Sequence, residues 1–255
     1  RPQILAFAAS SSNQSATALK VVMDMKFASE QPMEEPPNED DSPVVFFDVE
    51  VYPNLFVVCW KALGSDEVVR MVNPTQQEVE KLLSMKLVGF YNRRYDNHIL
   101  YAAFLGRTPE QLFKLSDRLI NKNDYNAAFA EAYNLSYTDI YDFASVKQGL
   151  KKWEIELGIH HMEMDIPWDE PVPQEKWNQV VEYCVNDVIA TEAVWHNRHQ
   201  DFVARQILAE LSGLSVNQTT QNHTARIIFG ENRNPQSEFV YTDLSEEFPG
   251  YAFEQ

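Results

Sequence analysis

Val44-Val45-Phe46-Phe47-Asp48-Val49-Glu50 is the stretch on which the fold turns. Two β-branched and two aromatic residues in a row suit a strand buried in a sheet. They run straight into two carboxylates two positions apart. Side chains alternate between faces along a strand, so Asp48 and Glu50 share one face. Ionised carboxylates beside a core are costly to desolvate, and divalent cations are their natural partners. Asp48-Val49-Glu50 is the sole Asp-x-Glu in the chain. By itself, such a pair is also what a solvated strand end looks like.

Working downstream, Leu55–Trp60 and Glu67–Val72 read as two further strands, with turn signals at Pro53-Asn54 and Gly64-Ser65. Thr75 and Glu78 form a capping box that opens a helix to Met85. Leu87–Phe90 is a fourth strand, and Asp96–Leu105 a helix closed by Gly106. Residues 108–135 read as mostly helical with breaks, and Thr138–Phe143 as a fifth strand. Ser145–Leu157 is expected to be a helix stopped by Gly158, followed by a loop with three prolines over Met162–Pro173. A long helix is expected from Gln174 to Leu211, bent or broken near Asn197, and a last one over Ser215–Phe229. This order predicts an α/β fold: an antiparallel meander joined through helical crossovers to parallel strands.

Upstream, residues 1–42 read as an N-terminal extension. It ends in a Pro- and acid-rich linker containing Glu34-Glu35-Pro36-Pro37 and Glu39-Asp40-Asp41, a composition that buries little. Three parts are therefore expected: the extension 1–42, a main domain 43–205, and a helical C-terminal extension and linker 206–255.

Two more motifs carry acidic side chains. Asn92-Arg93-Arg94-Tyr95-Asp96 follows the fourth strand. A helix starting near Asn92 would set Asn92 and Asp96 on one face. Tyr183-Cys184-Val185-Asn186-Asp187 lies inside the long helix, where four-residue spacing aligns the phenol with the carboxylate. In chain order the motifs run Asp-x-Glu, Asp, Tyr-x-x-x-Asp. In this the chain resembles the DEDD superfamily of 3′→5′ exonucleases, tyrosine subclass, over roughly residues 43–200. Asp142-Phe143-Ala144-Ser145, leading to Leu150 and Leu157-Gly158-Ile159, is similar to a further family segment, although the family's threonine is absent after Asp142.

The resemblance implies a ribonuclease-H-like mixed sheet of about five strands, three antiparallel and then parallel, flanked by helices. It implies hydrolysis of phosphodiester bonds from a 3′ end, with release of nucleoside 5′-monophosphates. It also implies two Mg²⁺ or Mn²⁺ ions held by Asp48, Glu50, Asp96 and Asp187. Asp48 would bridge both ions, Glu50 and Asp187 would complete the site of the attacking water, and Asp96 would act through water on the second ion. The Tyr183 hydroxyl would orient the nucleophile. Carboxylates are suitable hard ligands, and paired divalent ions stabilise both attacking and leaving oxygens.

The formal net charge of −17 argues against unaided, non-specific binding of nucleic acid. Yet residues 86–122 hold seven basic side chains against three acidic ones, and Lys147, Lys151 and Lys152 form a second basic island. Asn92, Arg93, Arg94, Tyr91 and Lys151 are the candidate contacts to a single-stranded DNA or primer 3′ end. Phe90, Tyr91 and Tyr95 suit stacking on terminal bases. Solvated helix faces and core packing explain the same residues equally well. His160, His161, His196 and His199 do not converge in the sequence and are expected to be exposed.

Ile166–Pro173 and Phe248-Pro249-Gly250-Tyr251 are similar to phage polymerases that carry an exonuclease before a polymerase. Together with a tail that ends without a clear fold boundary, this gives the expectation of proofreading, with a polymerase domain beyond Gln255 in a parent chain; a first residue of Arg1 gives that of a chain processed or cut from something longer. A free-standing ribonuclease or oligonucleotide-trimming enzyme of the superfamily, and a catalytically silent binding module, share the same motifs. Two cysteines in apolar runs, without zinc spacing or a disulfide framework, fit a reducing compartment. The expected location is cytoplasmic, the host cytoplasm for a phage protein, with no membrane partner.

Overall fold

The computed structural model describes residues 42–122, 124–232 and 234–238. The expected extension before Ser42 and the Phe248–Tyr251 segment lie outside the described residues.

Five strands form one sheet in the order β3-β2-β1-β4-β5. They are β1 (Val44–Tyr52), β2 (Leu55–Ala62), β3 (Val68–Val72), β4 (Lys86–Gly89) and β5 (Thr138–Asp139). The first three are antiparallel neighbours, whereas β4 runs parallel to β1 and β5 parallel to β4. This is the expected ribonuclease-H-like architecture. β1 is longer than the apolar run alone suggests. Its pairing with β2 continues from Val45↔Ala62 to Tyr52↔Leu55, which satisfies backbone groups well past Phe47. Asp48 and Glu50 therefore sit within the strand rather than after it.

Both faces of the sheet are covered. Val45, Phe47 and Val49 pack on one side with α1 (Gln76–Leu83), α2 (Asp96–Phe104) and α3 (Pro109–Ile120). Phe46 and Tyr52 pack on the other with α4 (Ile140–Phe143), α5 (Leu150–Leu157) and α6 (Trp177–Ser212). α7 (Thr220–Phe229) packs against α6. The alternation along β1 thus sends Asp48 and Glu50 to the face on which α6 lies.

The register places the cleft. β1 pairs with β4 only over Val44–Phe46, so the two strands part before Asp48. The opening lies at the carboxyl ends of the parallel strands, where α/β sheets bind their ligands. The proline-rich loop, whose Trp168 lines this cleft, is held by Asn54 in the β1–β2 turn. That side chain donates to the Val172 carbonyl at 2.9 Å and accepts from the Val172 N–H at 2.8 Å, tying the proline-rich loop to the sheet.

Four local expectations are corrected. Thr138–Phe143 is not one strand, because only Thr138 and Asp139 pair with β4. The Asp139 side chain then accepts from the Tyr141 N–H at 2.9 Å and caps α4, which buries Ile140 and Phe143 at helical spacing. The helix expected from Ser145 starts at Leu150, and that expected from Ser215 starts at Thr220, after its Thr219 cap. α6 is unbroken at Asn197 and runs through residue 205. It contains no Gly or Pro, and Trp195 and Phe202 hold it to the core on both sides of Asn197. Residues 108–135 form α3 and two short 3₁₀ turns, Tyr125–Ala127 and Glu131–Asn134. No helix among the described residues is long and apolar enough to cross a membrane.

Candidate metal centre

Three distant segments meet in the cleft. Asp48 and Glu50 come from β1, Asp96 from the first turn of α2 and Asp187 from the first third of α6. All four line one cavity of about 640 Å³. Asp48, Glu50 and Asp187 each offer a carboxylate oxygen, and these oxygens lie within 4.8 Å of one another. Asp96 and Asp187 are each only 8% exposed, while Asp48 and Glu50 are half-buried. Asp48 Oδ2 is buried and has no hydrogen-bond partner.

Burial and crowding make the cluster reluctant to ionise. Burial first, and then the charges of Asp187, Asp96 and Glu50, raise the Asp48 carboxyl well above its usual value. Glu50 is pushed up to about 8 by burial and by Asp187 and Asp96. Asp96 also reaches about 8, with burial dominant over hydrogen bonds from its own N–H and that of Val49. Asp187 reaches only about 6, since Lys151 counteracts burial. A divalent cation removes this repulsion and gives the orphaned Asp48 oxygen a partner. The residues present fit such an ion.

Compared with family models, curated proteins and solved structures, the chain matches none. What stands is a ribonuclease-H-like fold with an acidic cluster suited to metal.

Tyr183 and Lys151 lie beside Asp187. Lys151 Nζ donates to Asp187 Oδ1 at 2.5 Å and lies 4.2 Å from the centroid of the Tyr183 ring. The Tyr183 hydroxyl is pushed up to about 12, by burial first and then by Asp187, so at neutral pH it keeps its proton. The Lys151 ammonium is disfavoured by burial, but its bond to Asp187 outweighs this and raises its pKa.

The loop that presents Asp96 is built around Asp139, which the sequence reading did not single out. Its carboxylate, 1% exposed, accepts from the N–H groups of Tyr91 (2.8 Å), Arg93 (3.0 Å) and Tyr141 (2.9 Å). Tyr91 is held at φ +63°, in the left-handed region that non-glycine residues seldom occupy. Gly89 is required next to it, because a Cβ there would lie 2.7 Å from that of Asn92. The signal for Asp139 was an acidic residue at a strand end followed by apolar residues at helical spacing. Asp139→Ala leaves three backbone donors without their acceptor. It is expected to destabilise the protein by about 3 kcal/mol, measured by urea unfolding.

The expected nucleic-acid contacts divide. Tyr91 is 40% exposed and lines the cleft with Phe90, Tyr95 and Trp168. Arg94 lies beside it, its guanidinium carbon 5.4 Å from the Tyr91 ring centroid. Asn92 is instead 1% exposed, donating to Asn97 Oδ1 at 2.9 Å and Ser136 Oγ at 2.8 Å. The shared face expected for Asn92 and Asp96 does not form, because Tyr95, at φ −139° and ψ −73°, separates a 3₁₀ turn from α2. Arg93 is tied to Asp142 at 2.7 Å and to the carbonyls of Tyr133 and Asn217. Lys151 faces Asp187. None of the histidines belongs to the acidic cluster. Contrary to expectation, His161 and His199 are half-buried, His161 bonded to Glu154 and His199 packed against the Trp195 ring.

Proposed function

We propose that the protein is a metal-dependent 3′→5′ exonuclease of the DEDD type, tyrosine subclass, acting on DNA as the proofreading part of a polymerase. The observation that carries this reading is the convergence of Asp48, Glu50, Asp96 and Asp187 on one cleft, with a buried Asp48 oxygen left unpartnered among them. Fold alone would not carry it, since one architecture hosts many activities.

Asp48, Glu50 and Asp187 would hold one divalent ion, and Asp48 with Asp96 a second. Bound there, Mg²⁺ or Mn²⁺ supplies an activated water and offsets the charge that grows on the leaving 3′ oxygen. The chain's own groups do the rest. Tyr183 keeps its proton and orients the attacking water rather than acting as a free base. Lys151 holds Asp187 and adds positive charge beside the Tyr183 ring. Phe90, Tyr91, Tyr95 and Trp168 offer ring faces to the unstacked bases of a strand end. The polymerase part would add positive surface to a chain of net charge −17. A parent reading frame without polymerase motifs beyond Gln255 overturns that last element.

The reading is tested on a 5′-labelled single strand of DNA. With Mg²⁺ or Mn²⁺, a ladder of products shortened from the 3′ end is expected, and EDTA abolishes it. An RNA strand in parallel reports the preferred sugar. No shortening with either metal contradicts the reading. Tyr183→Phe loses one orienting hydrogen bond and is expected to slow turnover about tenfold in single-turnover assays.

A further inference from the structure

Glu154 has no part in the metal cluster, yet it is fully buried. It faces inward on α5 from a helical position that its neighbours Leu150, Trp153 and Leu157 fill with apolar side chains. Burying a carboxylate there is costly unless every acceptor is used. Both oxygens are used. Glu154 Oε1 accepts from Lys151 Nζ at 3.2 Å and from Asn186 Nδ2 at 3.0 Å. Glu154 Oε2 is bonded to His161 Nδ1 at 2.8 Å, and His161 Nε2 to Glu163 Oε1 at 2.6 Å. An imidazole between two carboxylates donates from both nitrogens when protonated. The bond to Glu154, and then that to Glu163, raise the His161 pKa accordingly.

We infer that Glu154 and His161 are positioning residues for the candidate active site: Glu154 fixes Lys151 against Asp187 and Tyr183, and His161 fixes Glu154. A lysine side chain has four rotatable bonds, and one contact at its tip leaves most of that freedom. With Glu154 on one side and Asp187 on the other, the Nζ is held between two acceptors. Glu154 also grips Asn186, the residue before Asp187 on α6. The chain of contacts from Glu163 through His161, Glu154 and Lys151 to Asp187 therefore joins the surface to the acidic cluster. The inference rests on the proposed exonuclease for its kinetic consequence alone, because the contacts stand without it.

The test uses the whole chain and three variants: Glu154→Gln, His161→Phe and His161→Gln. Two readouts are taken, steady-state cleavage of a labelled strand at varied concentration and the rate at which acetic anhydride acylates Lys151, followed by peptide mass spectrometry. Glu154→Gln is expected to lower kcat about 10- to 100-fold with KM within about twofold, the range seen when a partner that orients a ligand is removed. His161→Phe should lower kcat by about tenfold, and His161→Gln, which can still donate to Glu154, should restore most of it. Lys151 acylation should rise at least about fivefold in Glu154→Gln and His161→Phe, as Nζ gains freedom.

Where Glu154→Gln fails to fold, the half-buried His161 pair carries the test. A kcat within about twofold of wild type in the folded variants overturns the inference, as does a rise in KM with kcat unchanged. Should the wild type cleave no strand, the exonuclease reading fails on its own. The acylation ratio still decides the network, an unchanged ratio overturning it and a raised ratio supporting it.

Discussion

Asp48→Ala is expected to lower strand cleavage by about a thousandfold or more, because it removes the one carboxylate that would serve both ions. Asp187→Ala should behave similarly. Neither loss should come from unfolding. Asp48 sits in the middle of β1, whose backbone pairing with β2 does not depend on the side chain. Its carboxylate bonds to nothing through Oδ2 and is repelled by three neighbours. Asp48→Asn, which keeps the shape and removes the charge, should therefore raise the melting temperature of the metal-free protein at pH 8 while abolishing cleavage. Thermal melts beside cleavage assays check this. Lost activity with a lowered melting temperature would assign Asp48 to the scaffold.

The metal-free protein is expected to lose stability as the solution turns alkaline, the reverse of ordinary acid denaturation. Unfolded carboxyls titrate near pH 4. In the fold, Asp187 holds its proton to about 6, and Glu50 and Asp96 hold theirs to about 8. Across that window the folded chain binds more protons than the unfolded one, so unfolding becomes easier with each rise in pH. The stabilisation is full below about pH 4 and is lost as the pH passes 8. Asp139, raised to about 6 mainly by burial, acts in the same direction. In EDTA the melting temperature should drop on the order of 5–10 °C between pH 5.5 and pH 8.5. Mg²⁺ or Mn²⁺ should recover most of that at pH 8.5 and little at pH 5.5, since the ion binds the ionised form. A flat profile in EDTA would mean that the carboxylates are not crowded.

Much of this site was legible because its geometry is periodic. Two-residue spacing on β1 put Asp48 and Glu50 together, and four-residue spacing on α6 put Tyr183 beside Asp187. Neither depends on what the segments pack against. Asn92 and Asp96 failed the same reasoning because a break at Tyr95 interrupts the helix, and the turn before that break is held by Asp139, 48 residues on from Tyr91, whose N–H it accepts. Thr138–Phe143 looked like a strand because its apolar residues are compatible with either period, and the Asp139 cap decides for a helix after two paired residues. Glu154 was passed over, and His161 was expected to be exposed, for a related reason. A carboxylate at a core position on a helix announces a partner without naming it, and here the partners lie on the same helix, on α6 and in the following loop.

Titration calorimetry with Mn²⁺ on the wild type and on Asp48→Ala tests most directly whether β1, α2 and α6 build one cation site. The wild type at pH 8 should give a saturable heat with proton release, and Asp48→Ala should give almost none although its circular dichroism is unchanged. Equal heats from the two proteins would contradict the account.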